Sequence, residues 1–392
     1  MDWIEREAGP LIKETAAQRP VLLLTGCRQT GKTSLLQNLF PKHSYASLDL
    51  PMMAAEAEES GEEFLDRHPA PVILDEIQFA PKLLRHVKAR VDADRKKMGR
   101  YLITGSQNFS VMQGVTESLA GRVAVMHLHS LSLGELEDGT DAKAEGKQLL
   151  DWMLAGGYPE VHAHGLAPAR FYSDYVATYL QRDVRQLLEV RNLRDFERFL
   201  RLLALRSGQQ FVVSSFASDL GISPDTVKSW LSALEASQII YMLQPYFRNL
   251  GKRLVKTPKI YFMDTGLLCF LAGIQSVTAL QQSALLGAIF ETLTLGQYIR
   301  SRHNRGLDAT IYFYRDHAGH EVDFVVPEGN ALHLIECKWH EQPELRQPGF
   351  VELEKLLGPE GVLSKTIVNQ GRTKRRFRSQ GVTLSSCVDV GK

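Results

Sequence analysis

The sequence predicts an α/β fold: a parallel sheet with helices on both faces, then a helical region, then a smaller strand-rich end domain. Two observations carry this prediction. In the first part of the chain, short apolar runs alternate with segments long enough for crossover helices. After residue 285, one helical stretch precedes three strand-like runs. At about 150 residues per domain, the 392 residues favour domains at 1–148, 149–275 and 276–392.

The composition narrows the class of protein. The chain has 46 Lys and Arg against 45 Asp and Glu, with 44 % hydrophobic and 23 % charged residues. These values exclude a mainly disordered chain, a collagen and a disulfide scaffold. The four cysteines are scattered without a CxxC pair, which is typical of a reducing compartment and gives no zinc site. No apolar run approaches the ~18 residues of a membrane span, and the first residues lack the pattern of a secretory signal. We therefore expect a cytoplasmic protein with no membrane partner.

The strands predicted for the first domain are short and mostly aliphatic. We expect five buried parallel strands, at 21–24, 45–48, 72–74, 101–103 and 123–126. The polar stretch 137–148 that follows predicts a long loop or a domain boundary.

A glycine-rich motif follows the first predicted strand. Residues 26–33 read G-x-x-x-x-G-K-T, and the next residues continue as a helix until Pro41. Glycines let the backbone wrap closely round a phosphate, and the loop N–H groups and the helix N-terminus supply partial positive charge. Lys32 adds a full charge toward the β and γ phosphates, and the Thr33 hydroxyl can ligate Mg²⁺. The residues predicted to bind ATP are Gly26, Cys27, Arg28, Gln29, Thr30, Gly31, Lys32, Thr33 and Ser34.

Two carboxylates follow the third apolar run. Asp75 and Glu76 come directly after residues 72–74, at the carboxyl end of a buried strand, where α/β proteins form ligand sites. We expect Asp75 to hold Mg²⁺, directly or through water, and Glu76 to orient the attacking water. The predicted cofactors are therefore ATP and Mg²⁺.

With these motifs the first domain resembles the AAA+/STAND group of P-loop ATPases. In that group another strand lies between the P-loop strand and the Asp-Glu strand, as 45–48 does here. The resemblance implies that Ser106 or Gln107, after the fourth strand, contacts the γ-phosphate or the attacking water; the alternative is a plain polar strand end. It also implies that Arg122 is an arginine finger reaching a neighbour's nucleotide in a homo-oligomer, against the alternative of a surface arginine.

The middle domain contains a helix-turn-helix pattern at residues 216–231, with Ser223 as N-cap and Pro224 as the first helical residue. It resembles a winged helix, which usually suggests DNA binding. The second helix offers Lys228 as its only cation, so we favour a packing or regulatory role. Just upstream, residues 156–160 (Gly-Gly-Tyr-Pro-Glu) resemble the Gly-x-Pro signature that follows the STAND core, or otherwise form a helix-ending turn.

A basic stretch follows this pattern. Between Glu235 and Asp264 there is no acidic residue, whereas five Lys or Arg residues lie there, with Tyr246, Phe247, Tyr261 and Phe262 among them. Such a hairpin could neutralise phosphates of nucleic acid without reading sequence. Alternatively it could pack on the more acidic first domain, because residues 1–150 carry 18 basic and 21 acidic side chains, a net −3. The basic residues of this stretch are Arg248, Lys252, Arg253, Lys256 and Lys259.

The end domain carries an acidic cluster. Asp323 and Glu336 lie in two strand-like runs joined by a turn at residues 329–330, so a hairpin places them opposite each other. Opposed carboxylates bind a hard cation well, and Lys338 shares a face with Glu336. Glu291 on the preceding helix could complete the site.

This arrangement resembles the PD-(D/E)XK nuclease superfamily and implies a restriction-endonuclease-like domain. In that resemblance Asp323 and Glu336 hold Mg²⁺ or Mn²⁺, Lys338 assists the nucleophile, and Glu291 is an accessory ligand. The alternative is a nuclease fold kept for protein interaction, with its charges paired.

The domain order is similar to a widespread prokaryotic family of uncharacterised AAA-type ATPases. We therefore expect an ATPase whose nucleotide state controls a winged-helix and metal-dependent nuclease-like module acting on nucleic acid. The alternative is a STAND-like switch in which the end domain recruits a protein partner.

Overall fold

The computed structural model describes residues 3–105, 118–180, 193–246, 256–371, 375–377 and 381–392. The chain divides into two compact units. The first unit comprises Met1–Leu131 with two short later segments, Ala236–Gln238 and His303–Leu307. The second unit comprises Ser132–Glu235, Ile239–Arg302 and Asp308–Lys392.

The first unit alternates strands and helices. Its strands are β1 (Val21–Thr25), β2 (Ser44–Ser47), β3 (Val72–Asp75), β4 (Tyr101–Gly105) and β5 (Val123–His127). Its helices are α1 (Gly9–Gln18), α2 (Lys32–Leu39), α3 (Pro51–Glu59), α4 (Gly61–Arg67) and α5 (Leu83–Ala93).

The five strands form one parallel sheet in the order β2-β3-β4-β1-β5. Side chains alternate across a strand, so Leu22 and Leu24 of β1 pack under α1 and α2, whereas Val21 and Leu23 pack under α3, α4 and α5. Helices therefore cover both faces, and the predicted α/β fold is confirmed.

The expectation that all five strands are buried was wrong for the two edge strands. In β2 Ser44 and Tyr45 are exposed, and in β5 only Met126 is fully buried. An edge strand has a neighbour on one side only, so aliphatic composition alone does not bury it. The three inner strands β1, β3 and β4 are buried throughout.

The rest of the chain begins with helices and continues into strands. Its helices are α6 (Leu133–Asp138), α7 (Gly146–Ala155), α8 (Pro159–Ala163), α9 (Pro168–Tyr175), α10 (Leu193–Leu205), α11 (Val213–Leu220), α12 (Pro224–Ala236), α13 (Thr265–Leu271), α14 (Val277–Gln282), α15 (Leu286–Asn304) and α16 (Pro348–Leu357). Its strands are β6 (Ile240–Leu243), β7 (Lys259–Phe262), β8 (Tyr312–Arg315), β9 (Glu321–Glu328), β10 (Ala331–Lys338), β11 (Val362–Asn369), β12 (Arg375–Phe377) and β13 (Val382–Ser386).

Helices α11 and α12 form the predicted helix-turn-helix. Gly221 ends α11 with a left-handed φ of 69°, a conformation that glycine adopts without strain. The Ser223 hydroxyl accepts a hydrogen bond of 3.1 Å from the Thr226 N–H, as an N-cap does. Strands β6 and β7 follow as a two-stranded antiparallel sheet.

Helix α12 uses its apolar face for packing. The Trp230 ring meets the Phe196 ring of α10 edge-on, with ring centroids 5.3 Å apart. On the exposed side, Lys228 pairs with Asp225 at 3.2 Å. These contacts support a packing role for this helix.

The basic stretch around β7 does not form an outward-facing hairpin in its described part. Lys256 is exposed, but only 3 % of Lys259 is exposed, and Tyr261 and Phe262 are fully buried. The possibility that Lys259 contacts phosphate was therefore wrong, because β7 is buried along its whole length. Three further predicted cations, Arg248, Lys252 and Arg253, lie outside the described residues.

A six-stranded mixed sheet forms the end of the chain, in the order β12-β13-β11-β10-β9-β8. Strand β10 pairs antiparallel with β9 and parallel with β11. Helix α16 contributes Phe350 and Leu353 to the core on this sheet, together with Val322, Leu334 and Ile367.

The Gly-Gly-Tyr-Pro-Glu segment packs against a buried carboxylate. Asp264 caps α13 and accepts hydrogen bonds from the Gly157 N–H at 2.8 Å and from the Tyr172 hydroxyl at 2.7 Å. Gly156 ends α7 with a φ of 71°, and a Cβ atom there would overlap both the Tyr172 hydroxyl and the Asp264 carboxylate. The segment is thus a helix-ending turn that needs glycine for two separate reasons.

We predict that Gly156→Ala destabilises the chain more than Gly165→Ala. Both glycines have positive φ, but no atom lies within 4 Å of a Cβ built on Gly165. Gly156 has a ψ of −166° together with its positive φ, a conformation nearly restricted to glycine that costs another residue about 1–3 kcal/mol, and the overlap adds about 1–3 kcal/mol. Chemical denaturation measures both free energies of unfolding. Equal losses for the two variants would show that the Asp264–Tyr172 contact does not constrain this turn.

Candidate functional site

The glycine-rich loop joins β1 to α2 at the carboxyl edge of the first sheet. Gln29 has a φ of 60° and Gly31 a φ of 87°, so the backbone of the loop turns back on itself before the first turn of α2. Turns of this kind can gather N–H groups into an anion-binding concavity. A Cβ atom on Gly26 would overlap the Leu128 carbonyl, so this position also requires glycine.

Lys32 folds back onto the loop. Its side chain is buried, and its Nζ atom donates to the carbonyl oxygens of Gly26 at 3.1 Å and Cys27 at 2.8 Å. Burial lowers the pKa of Lys32, and the nearby Glu76 carboxylate opposes that shift. The ammonium is therefore held next to the space inside the loop by neutral carbonyl groups.

Arg6 braces the same loop from outside. Its buried guanidinium donates to the Thr30 carbonyl at 2.8 Å and to the His129 carbonyl at 2.7 Å. It thus joins the loop to the chain that follows β5. Sequence reasoning missed Arg6, because these partners are 24 and 123 residues away and no local motif marks them.

Asp75 ends β3 at the same edge of the sheet. Its Oδ1 atom accepts hydrogen bonds from the Thr33 hydroxyl at 2.7 Å and from the Thr104 hydroxyl, and its Oδ2 atom accepts from the Tyr45 hydroxyl at 2.9 Å. Burial and the Asp75 carboxylate together raise the pKa of Tyr45 to about 12. The structure therefore brings Thr33 and Asp75 together. Sequence reasoning missed Tyr45 and Thr104, although Thr104 is the first polar residue after the fourth apolar run.

Glu76 has an unusual backbone conformation. Its φ is 60° and its ψ is 51°, a left-handed conformation that costs a non-glycine residue about 1–2 kcal/mol and is concentrated at functional sites. The Glu76 N–H donates to the Thr104 hydroxyl at 3.1 Å, and the Glu76 carboxylate accepts from the Gln78 amide. The chain therefore bends at Glu76, directly after the end of β3.

These groups fit a nucleotide with its magnesium ion. A hydroxyl and a carboxylate oxygen are ligands that Mg²⁺ takes, and Thr33 and Asp75 supply one of each. The buried ammonium of Lys32 and the loop N–H groups supply the positive charge that phosphates need.

Arg122 does not lie at this edge of the sheet. Its guanidinium binds both carboxylate oxygens of Asp92, at 2.7 and 3.0 Å, and the Ala120 carbonyl at 2.8 Å. Arg122 comes before β5, at the amino edge of the sheet, whereas the glycine-rich loop comes after β1, at the carboxyl edge. Four residue steps along a parallel strand span about 13 Å between these two edges. Arg122 therefore does not reach the loop of its own chain, and action on a neighbour stays a prediction. Ser106 and Gln107 lie outside the described residues.

The predicted acidic site of the second unit has the expected hairpin register. Ile335 of β10 pairs with Phe324 of β9, which places Glu336 opposite Asp323. The Cys337 N–H donates to the Asp323 carboxylate at 2.8 Å, and Lys338 Nζ donates to Glu336 Oε1 at 2.7 Å. Burial raises the pKa of Asp323, and burial together with Asp323 raises the pKa of Glu336 to about 8.

Glu291 lies on α15 and accepts a hydrogen bond of 3.1 Å from the Tyr261 hydroxyl. Burial and the Asp323 carboxylate raise the pKa of Glu291 to about 8. Across the described ranges, no group of three or more His, Cys, Asp or Glu side chains is placed to hold a metal ion. The expected set of Glu291, Asp323 and Glu336 is therefore not arranged as a metal site of that kind.

A buried lysine lies at this acidic site instead. The Lys259 ammonium contacts Glu321 Oε1 and lies near the carboxylates of Glu291 and Asp323. Sequence reasoning placed Lys259 in a basic hairpin that either neutralises phosphates or packs on the first domain. The available signal was its position directly before the apolar run Ile260–Phe262, which predicts a buried strand.

Three family models match the chain. Residues 18–137 match an AAA domain, and residues 146–278 and 286–388 match two domains of unknown function, DUF8612 and DUF4143. The first unit thus contains a match to an AAA domain, as the motifs predicted. The match to DUF4143 does not confirm the nuclease-like resemblance of the end domain.

Over 353 residues the chain is 30 % identical to the uncharacterized proteins Rv2008c of Mycobacterium tuberculosis and Mb2031c of Mycobacterium bovis. The match covers 87 % of this chain and 75 % of each relative. The chain belongs to the family of these two proteins.

Two ATPases from Pyrococcus species are among the solved structures that a structural comparison matches to this chain. The Walker-type ATPase PABY2304 of Pyrococcus abyssi is 18 % identical, with 69 % of this chain and 96 % of that chain covered and a TM-score of 0.45. The STAND protein PH0952 of Pyrococcus horikoshii, which has a tetratricopeptide repeat sensor, is 11 % identical. The match covers 78 % of this chain and 48 % of that chain, with a TM-score of 0.22. In the part of the chain that the structure describes, no helix is long and apolar enough to cross a membrane.

Proposed function

We propose that this chain binds ATP with Mg²⁺ at the glycine-rich loop and hydrolyses it. The observation that carries the proposal is the hydrogen bond of 2.7 Å between the Thr33 hydroxyl and Asp75 Oδ1, beside the buried Lys32. A magnesium ion bound to these oxygens would neutralise charge on the β and γ phosphates.

The phosphates would replace protein carbonyls as the partners of Lys32. Its Nζ atom now donates to Gly26 and Cys27 within the loop, so a short movement of the side chain brings the ammonium to the β and γ phosphates. Arg6 holds the loop open through the Thr30 carbonyl, so the loop N–H groups stay oriented without a ligand.

Glu76 would orient the attacking water. Its carboxylate lies one residue beyond Asp75, and the bond from its N–H to Thr104 fixes the bend that aims it. A carboxylate at this place accepts a hydrogen bond from the water and directs it at the γ-phosphorus. The Glu76 carboxylate must then exchange the Gln78 amide for the water.

The base of the nucleotide would lie beside α2. A cavity of about 300 Å³ lies beside this helix, lined by residues from the start of the chain, from α1 and from α2. Trp3 lines this cavity and is 47 % exposed. Its indole ring offers a flat surface on which the base would stack. The residues lining the cavity include Trp3, Glu5, Arg6, Lys13, Leu35 and Asn38.

We predict that Glu76→Gln binds ATP as tightly as the wild type but loses at least about 10²-fold in the rate of hydrolysis. The amide keeps the size of the side chain and removes the acceptor charge that orients water. Calorimetric titration with ATP and Mg²⁺ measures binding, and phosphate release measures turnover. Glu63→Gln, an exposed position on α4, is the matched control. Unchanged turnover in Glu76→Gln would contradict the assigned role.

A second proposed activity is cleavage of nucleic acid by the end domain, controlled by the nucleotide state. It is favoured by the adjacency of Asp323, Glu336 and Lys338, with the Lys338 ammonium 2.7 Å from Glu336. Exposed cations on the edge strand β12, Arg375 and Arg376, could contact phosphates. The alternative output is recruitment of a protein partner by the same domain.

For this second activity we predict that the wild type nicks plasmid DNA or cleaves RNA with Mg²⁺ or Mn²⁺ present. Lys338→Ala should lower that rate by at least about 10²-fold. Lys355→Ala on α16 is the matched control, because the Lys355 side chain is 70 % exposed and pairs with Glu352 of its own helix. Equal absence of cleavage in all three proteins would favour the protein-recruiting output.

A further inference from the structure

We propose that Thr104 is a positioning residue that holds the magnesium ligand Asp75 and the water-orienting Glu76 in one arrangement. The inference rests on the proposed function, because both residues belong to the proposed nucleotide site. Thr104 lies within β4, the strand beside β3, and its side chain has no exposed surface. It would therefore act through its two neighbours rather than touch the nucleotide itself.

The hydroxyl of Thr104 uses its donor and its acceptor on two different residues. It donates its proton to Asp75 Oδ1, and it accepts a hydrogen bond of 3.1 Å from the Glu76 N–H. A threonine hydroxyl has one proton, so the bond to Asp75 leaves the lone pairs of the oxygen for the Glu76 N–H. Hydrogen bonds joined in this way polarise and strengthen each other. One buried group thus fixes a carboxylate and the backbone of the next residue.

The backbone of Glu76 needs such a support. Its φ of 60° and ψ of 51° lie in the left-handed region, which a residue other than glycine keeps only when its surroundings hold it there. Strand β3 ends at Asp75, so the Thr104 hydroxyl binds the first N–H beyond the strand. On the other side, the Glu76 carbonyl accepts a hydrogen bond of 3.1 Å from the Phe79 N–H. The bent conformation is therefore held from both ends.

Tyr45 holds the other oxygen of Asp75 and provides a comparison within the same site. Its hydroxyl donates to Asp75 Oδ2 at 2.9 Å. The register of β2 with β3 pairs Tyr45 with Ile73, two residues before Asp75 and therefore on the same face of the sheet. Tyr45 thus supports the magnesium ligand through its second oxygen, whereas Thr104 supports both the magnesium ligand and the backbone of Glu76.

Removal of the Thr104 hydroxyl would affect both functional residues. Asp75 would keep two of its three hydroxyl partners, those of Thr33 and Tyr45. The Glu76 N–H would lose its acceptor, which is unfavourable for a polar group in a folded chain. The strained backbone of Glu76 would then relax toward an ordinary conformation and carry its carboxylate away from the attacking water. We therefore expect both the binding of Mg²⁺ and the rate of hydrolysis to fall.

The test compares Thr104→Val, which keeps the shape of the side chain and removes the hydroxyl, with Thr104→Ser, which keeps the hydroxyl. Calorimetric titration of the full chain measures the affinity for ATP with and without Mg²⁺, and phosphate release measures kcat at saturating ATP and Mg²⁺. For Thr104→Val we expect an unchanged affinity without Mg²⁺, with losses of about tenfold or more in the gain that Mg²⁺ provides and in kcat. Thr104→Ser should behave like the wild type in all three measurements.

Two further variants separate the role of Thr104 from a general loss of a hydroxyl. Tyr45→Phe should lose part of the magnesium-dependent gain and keep the kcat of the wild type at saturating ATP and Mg²⁺. Thr294→Val is the matched control, because Thr294 is also fully buried and its hydroxyl binds the Phe290 carbonyl of its own helix at 2.9 Å. It should bind and hydrolyse ATP like the wild type.

If Thr104→Val does not fold, Thr104→Cys gives the same test, because a thiol packs well in a core and forms only weak hydrogen bonds. An unchanged kcat in a folded variant of either kind, or an equal loss in Thr104→Ser, would overturn the proposal. Equal losses of kcat in Thr104→Val and Tyr45→Phe would assign the effect to Asp75 alone and also overturn it. A wild type that binds no ATP would overturn the proposed function together with this inference, whereas a wild type that hydrolyses ATP leaves the two to be judged separately.

Discussion

The proposed nucleotide site depends on the parallel pairing of β1, β3 and β4. Because all three strands run in one direction, the glycine-rich loop, Asp75 and Thr104 reach the same edge of the sheet. A shift of one residue in the pairing of β3 would turn Asp75 to the other face and break its bond to Thr33. In β3 itself, Val72 and Leu74 pack in the core on one face of the sheet and Ile73 packs in the core on the other face, which holds the strand in place.

Two buried lysines show how the same side chain serves opposite purposes in this chain. Lys32 donates to neutral carbonyls of its own loop, so its charge is not neutralised by these partners. Lys259 contacts a carboxylate and lies near two more, so its charge is already neutralised. The difference lies in the partners rather than in burial, because both lysines are buried. One lysine thus belongs to a site prepared for an anion, and the other to a site that supplies its own cation.

The sequence predicted the parts of the molecule that local patterns determine. The glycine-rich motif and the Asp75–Glu76 pair follow apolar runs directly, and the turn before Ala331 determines which residue of β10 faces Asp323. The α/β fold followed from the alternation of short apolar runs with helical segments.

Contacts between distant parts of the chain were not predictable in this way. Arg6 and Tyr45 reach the nucleotide site through partners 24 to 123 residues away, and no motif marks them. Lys259 was predicted to meet either phosphates or the first domain, because a run of charges does not show which way each side chain points. The edge position of β2 and β5 likewise follows from strand order, which a list of apolar runs does not contain.

The central claim is that the Thr33 hydroxyl and the Asp75 carboxylate form the magnesium site of a bound nucleotide. The most direct test is the affinity for ATP with and without Mg²⁺, in the wild type, in Thr33→Val and in Thr15→Val, a matched control on α1. Valine keeps the shape of threonine and removes the hydroxyl. The account predicts that Thr33→Val keeps the affinity for ATP without Mg²⁺ and loses about tenfold or more of the gain that Mg²⁺ provides. A full magnesium-dependent gain in Thr33→Val would contradict it.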